Sequence, residues 1–373
     1  LRVGCMIRNV LAFDGPVETT RAMPFRYIVH MKVTVLLGGT SSERDVSLAS
    51  GLRIASALRD AGHAVTCVDP AVGEMSRGQE DALRAAGVVK REPPTRETLR
   101  AMAENSLVTT LGAMPAVRGA DVVFIALHGG DGEDGTVQAI LDLARVPYTG
   151  SGHLASALAM DKDLSKRLFR AAGVPTAEWM MTGPGSTIGA AEVAKALGLP
   201  VVVKPSKEGS TVGLSVVKEG GQLAGAIAEA ALYDDEVMIE RFVAGRELTV
   251  GVLGDHAMPV GEIIPKHEIY DYECKYTVGM AVEEFPAKLS PELTAEAQRL
   301  ALLAFRALKL DGCARIDFRM TPEGALFCLE ANTLPGMTAT SLIPQAAAAE
   351  GTDFSTFCDR IVALAKPTRR GGQ

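Results

Sequence analysis

The chain has 373 residues, of which 47% are hydrophobic and 22% charged, with a net charge of -7 and a pI near 5.5. That length exceeds one ordinary core and predicts two or three domains of about 150 residues, in a soluble globular composition that excludes extended disorder. The acidic balance argues against nucleic acid or an anionic membrane surface as partner, and no apolar run approaches the roughly 20 residues that span a bilayer.

Residues 1–30 carry Pro16, Pro24 and interspersed charges without periodicity. They lack the apolar centre and cleavage site of a signal peptide, so the expectation is a functional protein that starts at Met31, with the earlier segment an extension or the product of a misplaced start site. From there the pattern sharpens. Residues 33–37 (VTVLL) form a β-rich run ended by Gly38-Gly39-Thr40, and a helical pattern covers 46–61. Gly62 stops that helix and 64–68 is the next strand, a β-α-β opening that implies a parallel sheet. The apolar run 121–127 (DVVFIAL) is a buried strand that ends in His128-Gly129-Gly130. Helices are predicted over 136–144 and 162–172, the second stopped by Gly173 with Pro175 beyond it. Then the texture changes to antiparallel pairs. Residues 201–204 and 214–217 flank a Gly/Ser-rich turn, 237–242 and 247–253 read as a second pair, and 314–320 and 325–330 as a third. A long helix over 291–308 precedes the third pair, and an amphipathic helix over 354–365 closes the fold. The class is α/β followed by α+β. The six cysteines are scattered without a Cys-x-x-Cys pair, which reads as reduced thiols in the cytoplasm.

Two stretches carry chemistry. In Lys204-Pro205-Ser206-Lys207-Glu208-Gly209-Ser210-Thr211-Val212-Gly213, glycines and hydroxyls expose backbone N–H groups beside a lysine at a strand end. Such a loop can wrap a phosphate, or it can be a flexible hairpin turn. It is not the P-loop pattern, which opens a helix. In Cys313-Ala314-Arg315-Ile316-Asp317-Phe318-Arg319, strand alternation puts Arg315 and Asp317 on one face, and in Leu329-Glu330-Ala331-Asn332 it does the same for Glu330 and Asn332. If these strands pair across Thr321-Pro322-Glu323-Gly324, Asp317, Glu330 and Asn332 converge as hard oxygen ligands suited to Mg²⁺. The plainer alternative, a solvated face with chance carboxylates, is weakened by the apolar Ile316, Phe318, Phe327 and Leu329 and by the repulsion of unpaired acids.

With these residues in view the chain resembles the ATP-grasp ligases and, within them, the D-alanine–D-alanine ligase family. The resemblance rests on Gly38-Gly39-Thr40-Ser41-Ser42-Glu43-Arg44-Asp45-Val46-Ser47, His128-Gly129-Gly130-Asp131-Gly132-Glu133-Asp134-Gly135, Tyr148-Thr149-Gly150-Ser151-Gly152 and Met160-Asp161-Lys162. It continues through the 204–213 loop, Tyr270-Asp271-Tyr272-Glu273-Cys274-Lys275-Tyr276 and Leu329-Glu330-Ala331-Asn332-Thr333-Leu334-Pro335-Gly336-Met337-Thr338, in the family's order over 31–366. It implies an N-terminal Rossmann-like, preATP-grasp parallel-sheet domain that binds substrate (31–150), two ATP-grasp subdomains (151–240 and 241–366) and a tail (367–373).

The resemblance also implies roles. Lys162 and Lys204 would contact ATP phosphates under the closing loop of Glu208, Ser210, Thr211 and Val212. Glu240, Arg241, Phe242 and Val243 would read adenine, Glu247 the ribose, and Lys275 would join them. Asp317, Glu330 and Asn332 would hold two Mg²⁺ ions, with Mn²⁺ as a substitute. Glu43 would receive the ammonium of the first D-alanine, although an acid just before a helix also complements the helix dipole. His128 would lie near that substrate, a position where a lone histidine is more often a structural hydrogen-bonder. Arg315 would stabilise the acyl phosphate and tetrahedral intermediate. Ser341, with backbone near Gly336, would bind the second D-alanine, and the serine can cap the helix before Leu342 at the same time. Tyr276 would hydrogen-bond Glu43 and Ser210 and favour an amine over D-lactate as the nucleophile.

The implied activity is ATP-dependent formation of D-alanyl-D-alanine through a D-alanyl phosphate, for cell-wall precursors, by a cytoplasmic homodimer. A Rossmann dehydrogenase is disfavoured because Gly-Gly-Thr-Ser-Ser follows Leu37 in place of Gly-x-Gly-x-x-Gly. A non-catalytic nucleotide sensor would be expected to lose a metal ligand or Arg315, and all are present. A D-alanine–D-lactate ligase is the nearest rival.

Overall fold

A computed structural model describes residues 30–88, 94–104, 106–266 and 279–366. The expected extension (but for His30), the tail, Lys275 and Tyr276 lie outside these residues. Among the described residues the strands form three sheets.

The first sheet runs β3-β2-β1-β4, from β1 (Lys32–Leu36), β2 (Ala64–Asp69), β3 (Gly73–Met75) and β4 (Val122–Ile125). β1 pairs in parallel with β2 and with β4, as the β-α-β reading requires, and β3 adds an antiparallel edge. The Arg44–Asp60 helix between β1 and β2 buries Leu48, Ile54 and Leu58 against the sheet. Truncating Leu58 to alanine at such a site costs about 2–5 kcal/mol. Gly51 permits this approach, because a Cβ there would lie 2.4 Å from the Leu37 Cβ.

The second sheet, β5-β8-β6-β7, is antiparallel and comprises β5 (Trp179–Thr182), β6 (Val201–Pro205), β7 (Ser215–Val217) and β8 (Val237–Arg241). The third, β11-β10-β9-β12-β13, comprises β9 (Arg246–Leu253), β10 (His256–Pro265), β11 (Ala281–Glu284), β12 (Cys313–Met320) and β13 (Leu326–Asn332), again antiparallel. One expectation is corrected here. The strands predicted as a second pair, β8 and β9, belong to different sheets: β8 lies between β5 and β6, and β9 between β10 and β12. Residues 242–245 between them are not a hairpin turn but the crossing from one sheet to the next. The third predicted pair, β12 with β13, forms as expected.

Helices and one arginine complete the packing around the sheets. The Pro291–Ala307 and Lys162–Ala171 helices pack on the third sheet through Ala297, Leu300, Ala304, Phe305 and Phe169. The C-terminal Phe354–Ala363 helix returns to the first sheet, where Phe357, Cys358 and Ile361 share a core with Val33, Ile54 and Leu58. Arg53 on the first helix donates to the carbonyls of Met337 (2.9 Å) and Thr338 (2.7 Å), fixing the loop after β13 to the N-terminal layer.

Candidate active site

Two adjoining cavities share Lys162, Glu208, Gly209, Ser210, Arg315 and Glu330, and together form one cleft. One end lies between the second and third sheets, and the other opens toward the loops of the first.

At the inter-sheet end Lys162 opens its helix, next to Asp161, whose side chain caps the helix by accepting from the Leu164 N–H. Lys162 Nζ donates to the Glu208 carbonyl at 2.7 Å and lies 3.7 Å from Glu330. Burial pushes its ammonium pKa down, against the opposing pull of Glu330. Lys204 and Glu240 are diagonal neighbours on paired β6 and β8 and meet at 2.7 Å. Burial alone would lower the Lys204 pKa, but Glu240 and Glu330 outweigh it and raise it. Burial likewise pushes the Glu240 carboxyl up, yet Lys204 and then Lys166 outweigh it and hold it at about 2.

The strip Glu240, Arg241, Phe242 and Val243, then Glu247, lines the far part of this end. Arg319 braces the strip, donating to the carbonyls of Val243 (3.0 Å) and Gly245 (2.9 Å) and to Glu247 (3.2 Å). The alternation that selects Arg315 and Asp317 also puts Arg319 on their face, a signal the sequence reading left unused.

At the centre, antiparallel register sets Asp317 opposite Glu330 and Arg315 opposite Asn332, with a bulge just after Asp317. The repulsion expected between the facing acids is relieved. Arg315 grips both oxygens of Asp317 (2.9 and 2.8 Å), Thr249 donates to one at 2.7 Å, and Lys162 neighbours Glu330. Asn332 Oδ1 accepts from the Leu334 N–H at 2.9 Å. Among the described residues no cluster of three or more His, Cys, Asp or Glu forms a closed metal cage. Two carboxylates and one amide make an open, all-oxygen set, the chemistry that fits a hard divalent cation sharing its shell with phosphate and water.

The loop after β6 covers the centre. Ser210 (φ 49°) and Thr211 (φ 61°) both occupy the left-handed region, which non-glycine residues rarely adopt and which concentrates at ligand clamps. Ser210 donates to Glu43, so the loop reaches across to the first sheet's helix. Thr211 and Val212 line the inter-sheet end. Burial raises the Glu208 pKa, with Lys162 opposing.

At the other end Glu43 stands at the N-cap position of the Arg44–Asp60 helix, with no side-chain capping bond, and its carboxylate faces the cavity. His128 is buried, its Nδ1 2.8 Å from the Leu334 carbonyl and its Nε2 3.0 Å from Ser50 Oγ. A carbonyl only accepts, so Nδ1 carries a proton; Nε2 meets the Ser50 hydroxyl, which also accepts from the Met337 N–H at 3.1 Å. The histidine is therefore held by hydrogen bonds from both ring nitrogens at the edge of the cavity. Glu133, given no role from sequence, sits 3.9 Å from His128 Nδ1. Burial raises its pKa, His128 opposes, and the charge of Glu43 raises it further.

Gly336 and Ser341 line the same end. The capping expectation for Ser341 is corrected: it occupies the N-cap position of the Leu342–Ala349 helix without making a capping bond. Its Oγ accepts instead from the Thr338 N–H at 2.9 Å, which closes the loop upon itself. A Cβ at Gly336 would lie 2.7 Å from that oxygen, so this approach needs glycine. Of the residues singled out from sequence, all but Lys275 and Tyr276 are described, and all of those lie along this one cleft.

The chain is similar to known proteins over most of its length. The family described as D-ala D-ala ligase N-terminus matches residues 32–151, and the one described as D-ala D-ala ligase C-terminus matches 168–363. A D-alanine–D-alanine ligase of Geotalea uraniireducens is 42% identical over 334 residues, covering 90% of this chain and 95% of that protein. Among solved structures, the VanG D-Ala:D-Ser ligase of Enterococcus faecalis superposes with a TM-score of 0.73 at 29% identity, over 90% of this chain and 99% of that one. The D-alanine–D-alanine ligase of Bacillus anthracis complexed with ATP gives 0.66 at 28% identity, over 90% and 96%.

Proposed function

The chain belongs to the D-alanine–D-alanine ligase family, and from that premise we propose that its cleft joins two D-alanine molecules at the expense of ATP. One observation carries the assignment of ends: buried lysines line one end and Glu43, Gly336 and Ser341 the other, while Arg315, Glu330 and Ser210 lie where they meet.

A carboxylate does not condense with an amine in water, so its oxygen must first be phosphorylated. ATP lies between the second and third sheets, its phosphates beside Lys162 and Lys204 and under the 208–212 loop, its adenosine against residues 240–243 and Glu247. Lys275 is assigned to the same nucleotide by family resemblance. Asp317, Glu330 and Asn332 would hold Mg²⁺, with Mn²⁺ as a substitute, and the ion would supply neutralisation of phosphate charge. Glu43 receives the ammonium of the first D-alanine and aims its carboxylate at that phosphoryl group. A carboxylate oxygen attacks the γ-phosphorus, ADP leaves, and a D-alanyl phosphate forms. The second D-alanine, its carboxylate held by Ser341 and the backbone at Gly336, attacks the acyl carbon through its amine. Arg315 stabilises the tetrahedral oxyanion, the C–O bond breaks, phosphate leaves and the amine gives up a proton. The Ser210–Glu43 bond closes the loop over this chemistry and keeps water from the acyl phosphate.

The same reading assigns Tyr276 to selection of an amine nucleophile. It divides the chain into an extension (1–30), a substrate-binding domain (31–150), two nucleotide-clasping subdomains (151–240 and 241–366) and a tail. It makes the protein a cytoplasmic homodimer; consumption of ATP supports the compartment and family resemblance the dimer. Phosphate release should be measured with Mg²⁺-ATP and D-alanine, L-alanine, or D-alanine plus D-lactate or D-serine, with products identified by mass. Phosphate matched one-to-one by D-alanyl-D-alanine is expected. A depsipeptide or mixed dipeptide as the main product would reassign the second substrate.

A further inference from the structure

We propose that Lys166, which lines neither end of the cleft, is a positioning residue that keeps Lys204 available to the nucleotide. The inference rests on the reading of Lys204 as a phosphate contact. Lys166 follows Lys162 by one helical turn on the Lys162–Ala171 helix and is completely buried. A buried ammonium is tolerated only when paired and hydrogen-bonded, and its partners are specific. Nζ donates to Glu240 Oε1 and to Thr176 Oγ1 (2.6 Å), and it lies 5.0 Å from the centre of the Trp179 ring. Thr176 in turn donates to the Cys328 carbonyl at 2.8 Å, on the strand that bears Glu330 and Asn332. Lys166 thus sits where the helix, the second sheet and the third sheet meet.

The consequence is one of charge. The Glu240 carboxylate is shared, Oε1 with Lys166 and Oε2 with Lys204. Two ammonium groups and one carboxylate leave a net single positive charge beside the cleft. Without Lys166 the remaining Lys204–Glu240 pair is neutral, the carboxylate loses the partner that fixes its rotation, and Lys204 is drawn more tightly to it. With Lys166 in place, one donor of Lys204 meets Glu240 and its other N–H groups remain for an anion. A purely structural buried pair would stabilise the junction of the sheets but would not set nucleotide affinity.

The test uses the full chain. Lys166→Met, Lys166→Arg and Thr176→Val, which removes the other hydrogen-bond partner of Lys166, are compared with wild type for KM of ATP, KM of D-alanine, kcat and direct binding of Mg²⁺-ATP. Lys166→Met is expected to raise the ATP constants roughly tenfold while D-alanine constants stay within about twofold. Lys166→Arg should recover part of the loss. Thr176→Val loosens Lys166 without touching Lys204 or Glu240, and should raise the same ATP constants by a smaller factor. Should Lys166→Met fail to fold, Thr176→Val and Lys166→Arg still decide: a loss confined to the ATP constants supports the charge role, and ATP constants unchanged in both, or D-alanine constants damaged equally, overturn it. Unchanged ATP constants in a folded Lys166→Met protein overturn it as well. Lys204→Met separates the two readings. If that variant raises the ATP KM and Lys166→Met does not, only this inference falls; if neither does, the assignment of Lys204 falls.

Discussion

The two ends of the cleft are built on different physical principles. At the inter-sheet end, Lys162, Lys204 and Lys166 are buried and balanced by Glu240 and Glu330, so function there depends on a balance of charge. At the other end, the acid Glu43 faces a mesh in which His128, Ser50, Ser341 and the backbone at 334–338 are tied by hydrogen bonds, so shape there depends on hydroxyl and backbone contacts. Neutralising the lysines should therefore damage the first end selectively, and loss of the Ser50 hydroxyl the second.

The largest effect is expected where the ends meet. Glu330→Gln removes a carboxylate facing both Asp317 and Lys162, and kcat should fall by at least about 10²–10³-fold, a magnitude typical of a lost group that stabilises transition-state charge. Near-normal turnover at saturating Mg²⁺-ATP would remove Glu330 from the metal set. Next, Lys204→Met should raise the ATP KM by roughly tenfold or more while leaving the D-alanine constants much closer to wild type; equal damage to both would erase the contrast between the ends.

A smaller effect sharpens the other side. Ser50→Ala deletes the hydroxyl that links His128 to the Met337 N–H, leaving buried groups unpaired at a cost of about 1–3 kcal/mol of stability. The constant for the second D-alanine should rise severalfold with the ATP KM unchanged, and an ATP effect instead would mean that the ends are not independent. The smallest effect is a stability term. Lys204 and Lys166 together outweigh burial and hold the folded Glu240 carboxyl at about 2, below the usual carboxylate range. A depressed acid contributes stability that is fully present above its unfolded pKa and is lost as pH falls toward 2. Glu240→Gln should therefore unfold with a shallower pH dependence between about pH 4.5 and 2, as read by denaturant melts across that window; an unchanged slope would contradict the buried ion pairing.

Much of this arrangement is legible in the amino-acid sequence where the determinants are local. Period-2 alternation and a short turn are enough to place Asp317 opposite Glu330, because β12 and β13 are sequential and pair directly. Gly62 and the apolar periods around it predict the parallel β1–β2 unit for the same reason. Strand partnership across sheets is not local, and the β8–β9 pair fails because a short crossing and a hairpin turn look alike in composition. Buried polar partners are harder still. Ser50 meets Met337 across 287 positions, and Lys166 meets Glu240 across 74. Nothing near a serine or lysine in sequence announces such a contact. Motif resemblance singled out Glu43 and Lys204 together with their direct partners Ser210 and Glu240, but Lys166 and Ser50 behind them had no such signal.

The central claim is that a D-alanine carboxylate is phosphorylated where the two ends meet, and oxygen tracing tests it directly. With D-alanine labelled by ¹⁸O in its carboxylate, one labelled oxygen should leave in inorganic phosphate for each dipeptide formed. The first carboxylate oxygen becomes the bridge to phosphorus, and the C–O bond is the one that breaks. Label recovered in AMP, or unlabelled phosphate whose fourth oxygen comes from solvent, would contradict transfer of the γ-phosphoryl group to the substrate.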